Sequence, residues 1–130
     1  MNFLQMRERC PGSSFIGKAT LDSFKFVYDG TSKKGGAVAN IVKEGDEFVL
    51  GGLYKINDSH LKSLDDYEGY PTSYDKKEFL VQTEDNKTFS AIMYLRTGKQ
   101  VGEPRSQYRQ IVLQGAKDCG LSEEYIQRYI

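Results

Sequence analysis

The sequence predicts an α+β domain, built as a small, mainly antiparallel β-barrel with flanking helices. Segments rich in aromatic and β-branched residues follow one another with short polar separators. One helical pattern lies between two of these segments, and further helical patterns lie at the two ends of the chain. Strands in a run, rather than strict alternation with helices, are typical of antiparallel α+β folds and do not fit a doubly wound parallel sheet.

The predicted strands alternate imperfectly between apolar and polar side chains. They are residues 15–28, 36–42, 47–56, 74–83 and 88–95. Two separators, residues 44–46 (Glu-Gly-Asp) and 84–87 (Glu-Asp-Asn-Lys), carry residues that tolerate positive φ or bond their own backbone. We therefore predict a hairpin turn at each of them.

The predicted helices are bounded by capping and stop residues. They comprise residues 3–9 after Asn2, a helix capped by Asn57 or Asp58 and ended by Gly69, a helix from near Pro104 to about Asp118, and a final turn or two after Ser122. A capping side chain accepts hydrogen bonds from the unpaired amides of a first turn, which is why these residue types mark helix starts. This prediction places Glu68 at the C-terminal end of the second helix.

Size and charge restrict the classes of function. With 130 residues, the chain is expected to be a single domain, residues 1–130. It has 18 basic and 18 acidic side chains with no long run of either sign, which disfavours nucleic acid and membrane surfaces as partners. Neither a signal-peptide layout nor an apolar stretch of roughly 20 residues is present, so a cytoplasmic location is expected.

The sequence lacks the sets of His and Cys residues that usually hold zinc or copper. Cys10 and Cys119 are far apart and His60 is the single histidine, so no His/Cys set for zinc or copper can form. We expect no metal, two buried free thiols, and a solvated position for His60 in the first turn of its helix. No glycine-rich nucleotide motif or serine-hydrolase elbow is present either.

Glu68 is the candidate for acid–base chemistry. It ends a helix, where the dipole disfavours negative charge, and its neighbours Tyr67, Tyr70 and Pro71 favour apolar burial. Both effects raise the pKa of a carboxyl group toward the range in which it exchanges protons near neutral pH. The alternative from the residues themselves is a surface glutamate that precedes the helix-capping Gly69.

Four blocks of the chain resemble the gamma-glutamylcyclotransferases. Residues 64–71 (Leu-Asp-Asp-Tyr-Glu-Gly-Tyr-Pro) resemble that family's Leu-Asp-x-x-Glu-Gly signature. Residues 35–41 (Gly-Gly-Ala-Val-Ala-Asn-Ile), 45–51 (Gly-Asp-Glu-Phe-Val-Leu-Gly) and 115–125 resemble other family segments in the same order and spacing. The resemblance covers essentially the whole chain.

The resemblance implies a cofactor-independent enzyme of the lyase or acyltransferase type. Such an enzyme releases an amino acid or amine from a small gamma-glutamyl compound while the glutamyl part closes to 5-oxoproline, a reaction of glutathione metabolism. Glu68 would be the general acid/base, and Tyr74, Tyr94 and Tyr108 fall where the family places substrate-binding tyrosines. A dipeptide, glutathione and an amine adduct all remain open as substrates.

Two departures from the family pattern stand out. The family's Pro-Ser-x-x-Tyr is here Pro104-Arg105-Ser106-Gln107-Tyr108, so the serine has moved. Family members also begin with a strand and a Tyr-Gly-Ser-Asn loop that this sequence lacks. If that strand is missing, we expect an unpaired sheet edge, self-association into a homo-oligomer or poor stability, and little activity. A non-catalytic domain of the same fold, which binds a ligand or a protein, is the alternative.

Overall fold

The computed structural model describes residues 2–130 and confirms the α+β class. Its elements are α1 (Phe3–Arg9), β1 (Ser14–Asp29), β2 (Val38–Lys55), α2 (Asp58–Glu68), β3 (Asp75–Thr83), β4 (Thr88–Leu95), α3 (Ser106–Asp118) and α4 (Glu123–Tyr129). The strands form one four-stranded antiparallel sheet in the order β2-β1-β3-β4.

The helix ends follow the capping residues read from the sequence. The Asn2 side chain accepts a hydrogen bond from the Gln5 amide at 3.0 Å, and the Asn57 side chain accepts one from the His60 amide at 2.8 Å. Gly69 ends α2 in the left-handed conformation with φ 66°, a conformation that costs glycine little because it has no Cβ. Glu68 is therefore held at the last position of α2, as predicted.

The hairpin turn predicted at residues 44–46 is wrong. β2 continues through these residues as one strand, and both of its halves pair with β1: Lys43 faces Phe24 and Phe48 faces Asp22. The register shift lies opposite Ser23, which has φ 66°. The glycine and acidic residues thus form an irregularity that bends a long strand. The turn predicted at residues 84–87 is confirmed, since it joins β3 to β4.

The predicted barrel is also wrong in its closure. Within residues 2–130, β2 and β4 share no hydrogen-bonded ladder and the sheet stays open. Where the two strands approach, the Asn40 side chain takes the place of a backbone partner. Its Oδ1 accepts from the Arg96 amide and its Nδ2 donates to the Arg96 carbonyl, both at 3.1 Å. A side-chain amide has one donor and one acceptor side like a peptide group, so it joins the strand ends without a ladder.

His60 is buried rather than solvated, with 8% of its surface exposed. Its Nδ1 accepts a hydrogen bond from the Asn57 amide at 3.2 Å, and its Nε2 lies 2.6 Å from the Pro11 carbonyl oxygen. Because a carbonyl oxygen only accepts, Nε2 carries the proton. The ring therefore connects the start of α2 to the segment that follows α1.

Two apolar clusters stabilise the fold. One joins the strands through Ala19, Leu21, Ile41, Val49 and Val81. The other packs the last two helices through Ala116, Cys119, Leu121, Tyr125 and Ile126. Both cysteines are buried free thiols, as predicted.

A Gly52→Ala substitution is expected to destabilise the fold where β2 meets the C-terminal helices. The added Cβ would lie 2.5 Å from the Cys119 sulfur and 3.1 Å from the Phe15 ring. Overpacking of this kind costs about 1–3 kcal/mol in the free energy of unfolding, which urea titration measures. Gly45→Ala is the matched control, because its Cβ would meet nothing within 4 Å. Equal stability of the two variants would contradict this account of the contact.

Candidate functional site

Glu68 faces a large cavity. The cavity has a volume of about 1270 Å³ and is lined by residues from every strand and helix, including Glu68 itself. Its lining combines apolar strand residues such as Val49 and Met93 with polar side chains, among them Glu68. A cavity of mixed lining that contains a titratable group is a typical site for a small molecule.

The pKa of Glu68 is raised above its usual value, mainly by burial. The nearby positive charge of Arg9 acts in the opposite direction. The structure thus confirms that the pKa of Glu68 is raised. It also shows that the positive charge of Arg9 opposes this shift, which the sequence did not reveal. Among the described residues no hydrogen bond or salt bridge occupies the Glu68 carboxyl group, which leaves it able to exchange a proton.

The structure brings Tyr74, Tyr94 and Tyr108 together with Glu68. Tyr74 precedes β3, Tyr94 lies in β4 and Tyr108 lies in α3, and all of them line the same cavity. The charge of Glu68 contributes to raising the pKa of each tyrosine, although burial is the main cause in every case. Because the pKa of each is raised, the hydroxyls remain protonated at neutral pH.

The hydroxyl groups differ in what they can offer a ligand. Tyr74 donates its proton to the Ala39 carbonyl at 2.7 Å, and Tyr94 donates its proton to Asp65 at 2.5 Å. Tyr108 instead accepts from the Ala39 amide at 3.0 Å. Tyr74 and Tyr94 therefore keep an oxygen that can accept from a donor such as an ammonium group, although Arg96 already donates to Tyr74. Tyr108 keeps its proton for an acceptor.

Asp65 shares the signature segment with Glu68 but is committed to other contacts. Lys76 forms an ion pair with it at 2.7 Å. Hydrogen bonds from Lys76 and Tyr94 lower the pKa of Asp65. The two carboxyl groups are thus shifted in opposite directions, a pattern that separates a fixed charge from a proton carrier. Of the two, Glu68 has the pKa shift that suits proton exchange near neutral pH.

A buried ion pair supports one wall of the site, and sequence reasoning missed it. Arg96 contacts Asp29 at 2.7 Å, and Asp29 is 1% exposed. The Arg96 guanidinium also lies 5.3 Å from the centre of the Tyr74 ring. The two partners are 67 residues apart in the chain, so no local pattern pointed to them.

Two further features concern metals and membranes. Among residues 2–130, no three His, Cys, Asp or Glu side chains gather as a metal site would require. No helix formed by these residues has the length and apolar character needed to span a bilayer.

Comparisons with known proteins connect this geometry to a family. The human and mouse gamma-glutamylcyclotransferases are 33% and 31% identical to the chain over 123 residues, which are 90% of this chain. The chain spans about 65% of the length of these curated relatives.

Solved structures and a family match complete the comparison. A gamma-glutamyl cyclotransferase structure superimposes with a TM-score of 0.88 at 31% identity, covering 97% of this chain and 78% of that one. A human protein structure superimposes with a TM-score of 0.86 at 32% identity, covering 95% and 76%. Residues 48–129, which include Glu68 and all three site tyrosines, match the AIG2-like family. The chain belongs to the AIG2-like family.

Proposed function

We propose that the chain is a gamma-glutamylcyclotransferase that converts a gamma-glutamyl amino acid or amine into 5-oxoproline and the free amino acid or amine. The observation that carries this proposal is the state of Glu68: its pKa is raised by burial, its carboxyl group is unpaired among the described residues, and it faces the cavity with three tyrosine hydroxyls. The relatives named gamma-glutamylcyclotransferase support the same activity.

The reaction suits a site with one proton carrier. The α-amino group of the substrate attacks its own side-chain carbonyl carbon, which forms a C–N bond and closes a five-membered ring. The C–N bond to the leaving amine then breaks. Because nucleophile and electrophile belong to one molecule, the site needs only to hold them in the reactive geometry. No cofactor takes part in this scheme.

Glu68 moves the proton. The α-ammonium group must lose a proton before it can attack, and the departing nitrogen must gain one. In the proposed mechanism the Glu68 carboxylate accepts the first proton and the resulting acid returns it to the leaving amine, so the group acts in turn as base and acid.

The tyrosines position the reacting groups. Tyr74 and Tyr94 have already donated their protons, so their oxygens accept hydrogen bonds from the substrate ammonium group. Tyr108 has a free proton among the described contacts and donates it to a substrate oxygen. The ammonium group is thereby directed toward the carboxyl group that takes its proton.

A product assay tests this activity. With γ-glutamyl-L-alanine, the chain is expected to release 5-oxoproline and alanine in equal amounts without free glutamate, as measured by chromatography. The value of kcat/KM should rise with pH through a pKa above the usual glutamate range, because the base must be ionised and the pKa of Glu68 is raised.

The control substrate is α-glutamyl-L-alanine, whose amine cannot close a five-membered ring on the scissile carbonyl. Calorimetric binding of γ-glutamyl-L-alanine without any 5-oxoproline would contradict the proposal and favour a non-catalytic binding domain.

A further inference from the structure

We propose that Arg9 is a carboxylate-binding residue of the Glu68 site and that the substrate therefore presents a carboxylate group to the C-terminal end of α1. This inference deepens the proposed function and rests on it. It adds a ligand-binding cation to the Glu68 carboxyl group and the tyrosine hydroxyls of the proposed site.

The backbone around Arg9 is fixed to the helix that carries Glu68. The Ser63 hydroxyl of α2 donates a hydrogen bond to the Arg9 carbonyl at 2.7 Å. The Cys10 thiol donates to the His60 carbonyl at 3.8 Å, and the His60 ring bonds the Pro11 carbonyl at 2.6 Å. These contacts join α2 to three consecutive residues, so the backbone at Arg9 is held against the helix that carries Glu68.

The Arg9 side chain points into the site. Its guanidinium carbon lies 4.4 Å from the centre of the Tyr67 ring, and Arg9 lines the same cavity as Glu68. A guanidinium over an aromatic face is attracted by the ring as a whole and needs no acceptor atom there. The contact with Tyr67 thus holds Arg9 beside the cavity and leaves N–H groups available for a ligand.

No carboxylate of the described residues pairs with Arg9. By contrast, Arg96, Arg109 and Arg128 form salt bridges with acidic side chains at 2.7, 2.8 and 3.3 Å. Glu68 is close enough for the Arg9 charge to lower its pKa, yet the two form no salt bridge. A half-buried guanidinium with free donors beside a cavity is suited to bidentate binding of a ligand carboxylate.

The substrate offers this chemistry in two places. Every gamma-glutamyl compound carries the α-carboxylate of its glutamyl part, and gamma-glutamyl amino acids carry a second carboxylate on the leaving group. Either one satisfies Arg9. Only the second would make the enzyme prefer amino acids over uncharged amines as leaving groups.

Kinetics with two substrates distinguish these sources. The substrates are γ-glutamyl-L-alanine and γ-glutamyl-L-alaninamide, which differ in the charge of the leaving group. Arg9→Met is expected to raise KM roughly 10- to 100-fold, the usual scale for hydrogen bonds to a charged group. A rise with both substrates assigns the glutamyl carboxylate, and a rise with γ-glutamyl-L-alanine alone assigns the leaving group.

Two further variants separate recognition from structure. Arg9→Lys keeps the positive charge but lacks the paired N–H donors of a guanidinium, so it should recover part of the affinity. Arg7→Met removes an exposed arginine of the same helix that does not line the cavity, and it should leave KM unchanged. The proposal would be overturned if the KM of Arg9→Met stayed within about twofold of the parent value with both substrates.

A binding experiment keeps the inference testable if turnover fails. Calorimetry measures the affinity of γ-glutamyl-L-alanine for the Glu68→Gln chain and for the same chain with Arg9→Met added. A loss of roughly tenfold or more on adding Arg9→Met supports the inference even where the parent forms no 5-oxoproline. Equal affinities, or no binding to either chain, overturn it.

Discussion

Glu68→Gln is expected to leave the chain folded and to lower 5-oxoproline formation by about 10²- to 10⁴-fold, the usual contribution of a general acid/base. The amide has nearly the same shape but cannot accept and return the proton. The measurement is kcat with γ-glutamyl-L-alanine, alongside circular dichroism to verify the fold. If the variant kept activity within about twofold of the parent, Glu68 would not be the general acid/base.

The pH dependence of the free energy of unfolding provides an internal control for Glu68→Gln. Burial raises the pKa of Glu68, so the folded state disfavours its ionised form. The parent therefore loses stability relative to Glu68→Gln as the pH rises from the usual glutamate range through the raised pKa. A variant that is inactive at neutral pH yet at least as stable as the parent separates lost chemistry from lost structure. Glu44→Gln, at an exposed position in β2 where the described residues form no salt bridge with it, should change neither property.

Arg96→Met is expected to destabilise the fold by about 3–5 kcal/mol, because it leaves the Asp29 carboxylate buried without its partner. Urea unfolding measures the change. Arg109→Met is the matched control: its salt bridge with Glu103 is exposed, and such pairs contribute about 0–1 kcal/mol. Similar losses in the two variants would show that the Asp29 charge is solvated or paired in some other way.

Local chemistry made much of the fold predictable. Asn2, Asn57 and Ser122 each cap the helix expected of them, because the signal and its hydrogen bond lie within one turn. The failure at residues 44–46 has an equally local origin. A Gly between acidic residues suits both a hairpin turn and a bent strand, and the pairing with β1 on both sides decided for the strand. Residues 44–46 alone do not determine that pairing.

The site was predictable to a different extent. Glu68 became a candidate from its helix end and neighbours, and the family resemblance then favoured it over a surface glutamate. Tyr74, Tyr94 and Tyr108 came from the family resemblance alone. Their roles stay predictions. Arg9 was placed at the end of its helix, but its proximity to Glu68 depends on how α1 packs on α2. Contacts between distant segments carry no sequence pattern of their own, so only the structure revealed them.

The two tyrosine hydroxyls that bind Ala39 have a consequence for aggregation. β2 is an edge of the sheet, and at Ala39 its amide and carbonyl turn away from β1. Such groups on an edge are a template on which a strand of another molecule can pair. Tyr74 and Tyr108 occupy both groups, so the residues that line the ligand cavity also block intermolecular strand pairing at this point. The same two hydroxyls can therefore favour solubility as well as shape the cavity.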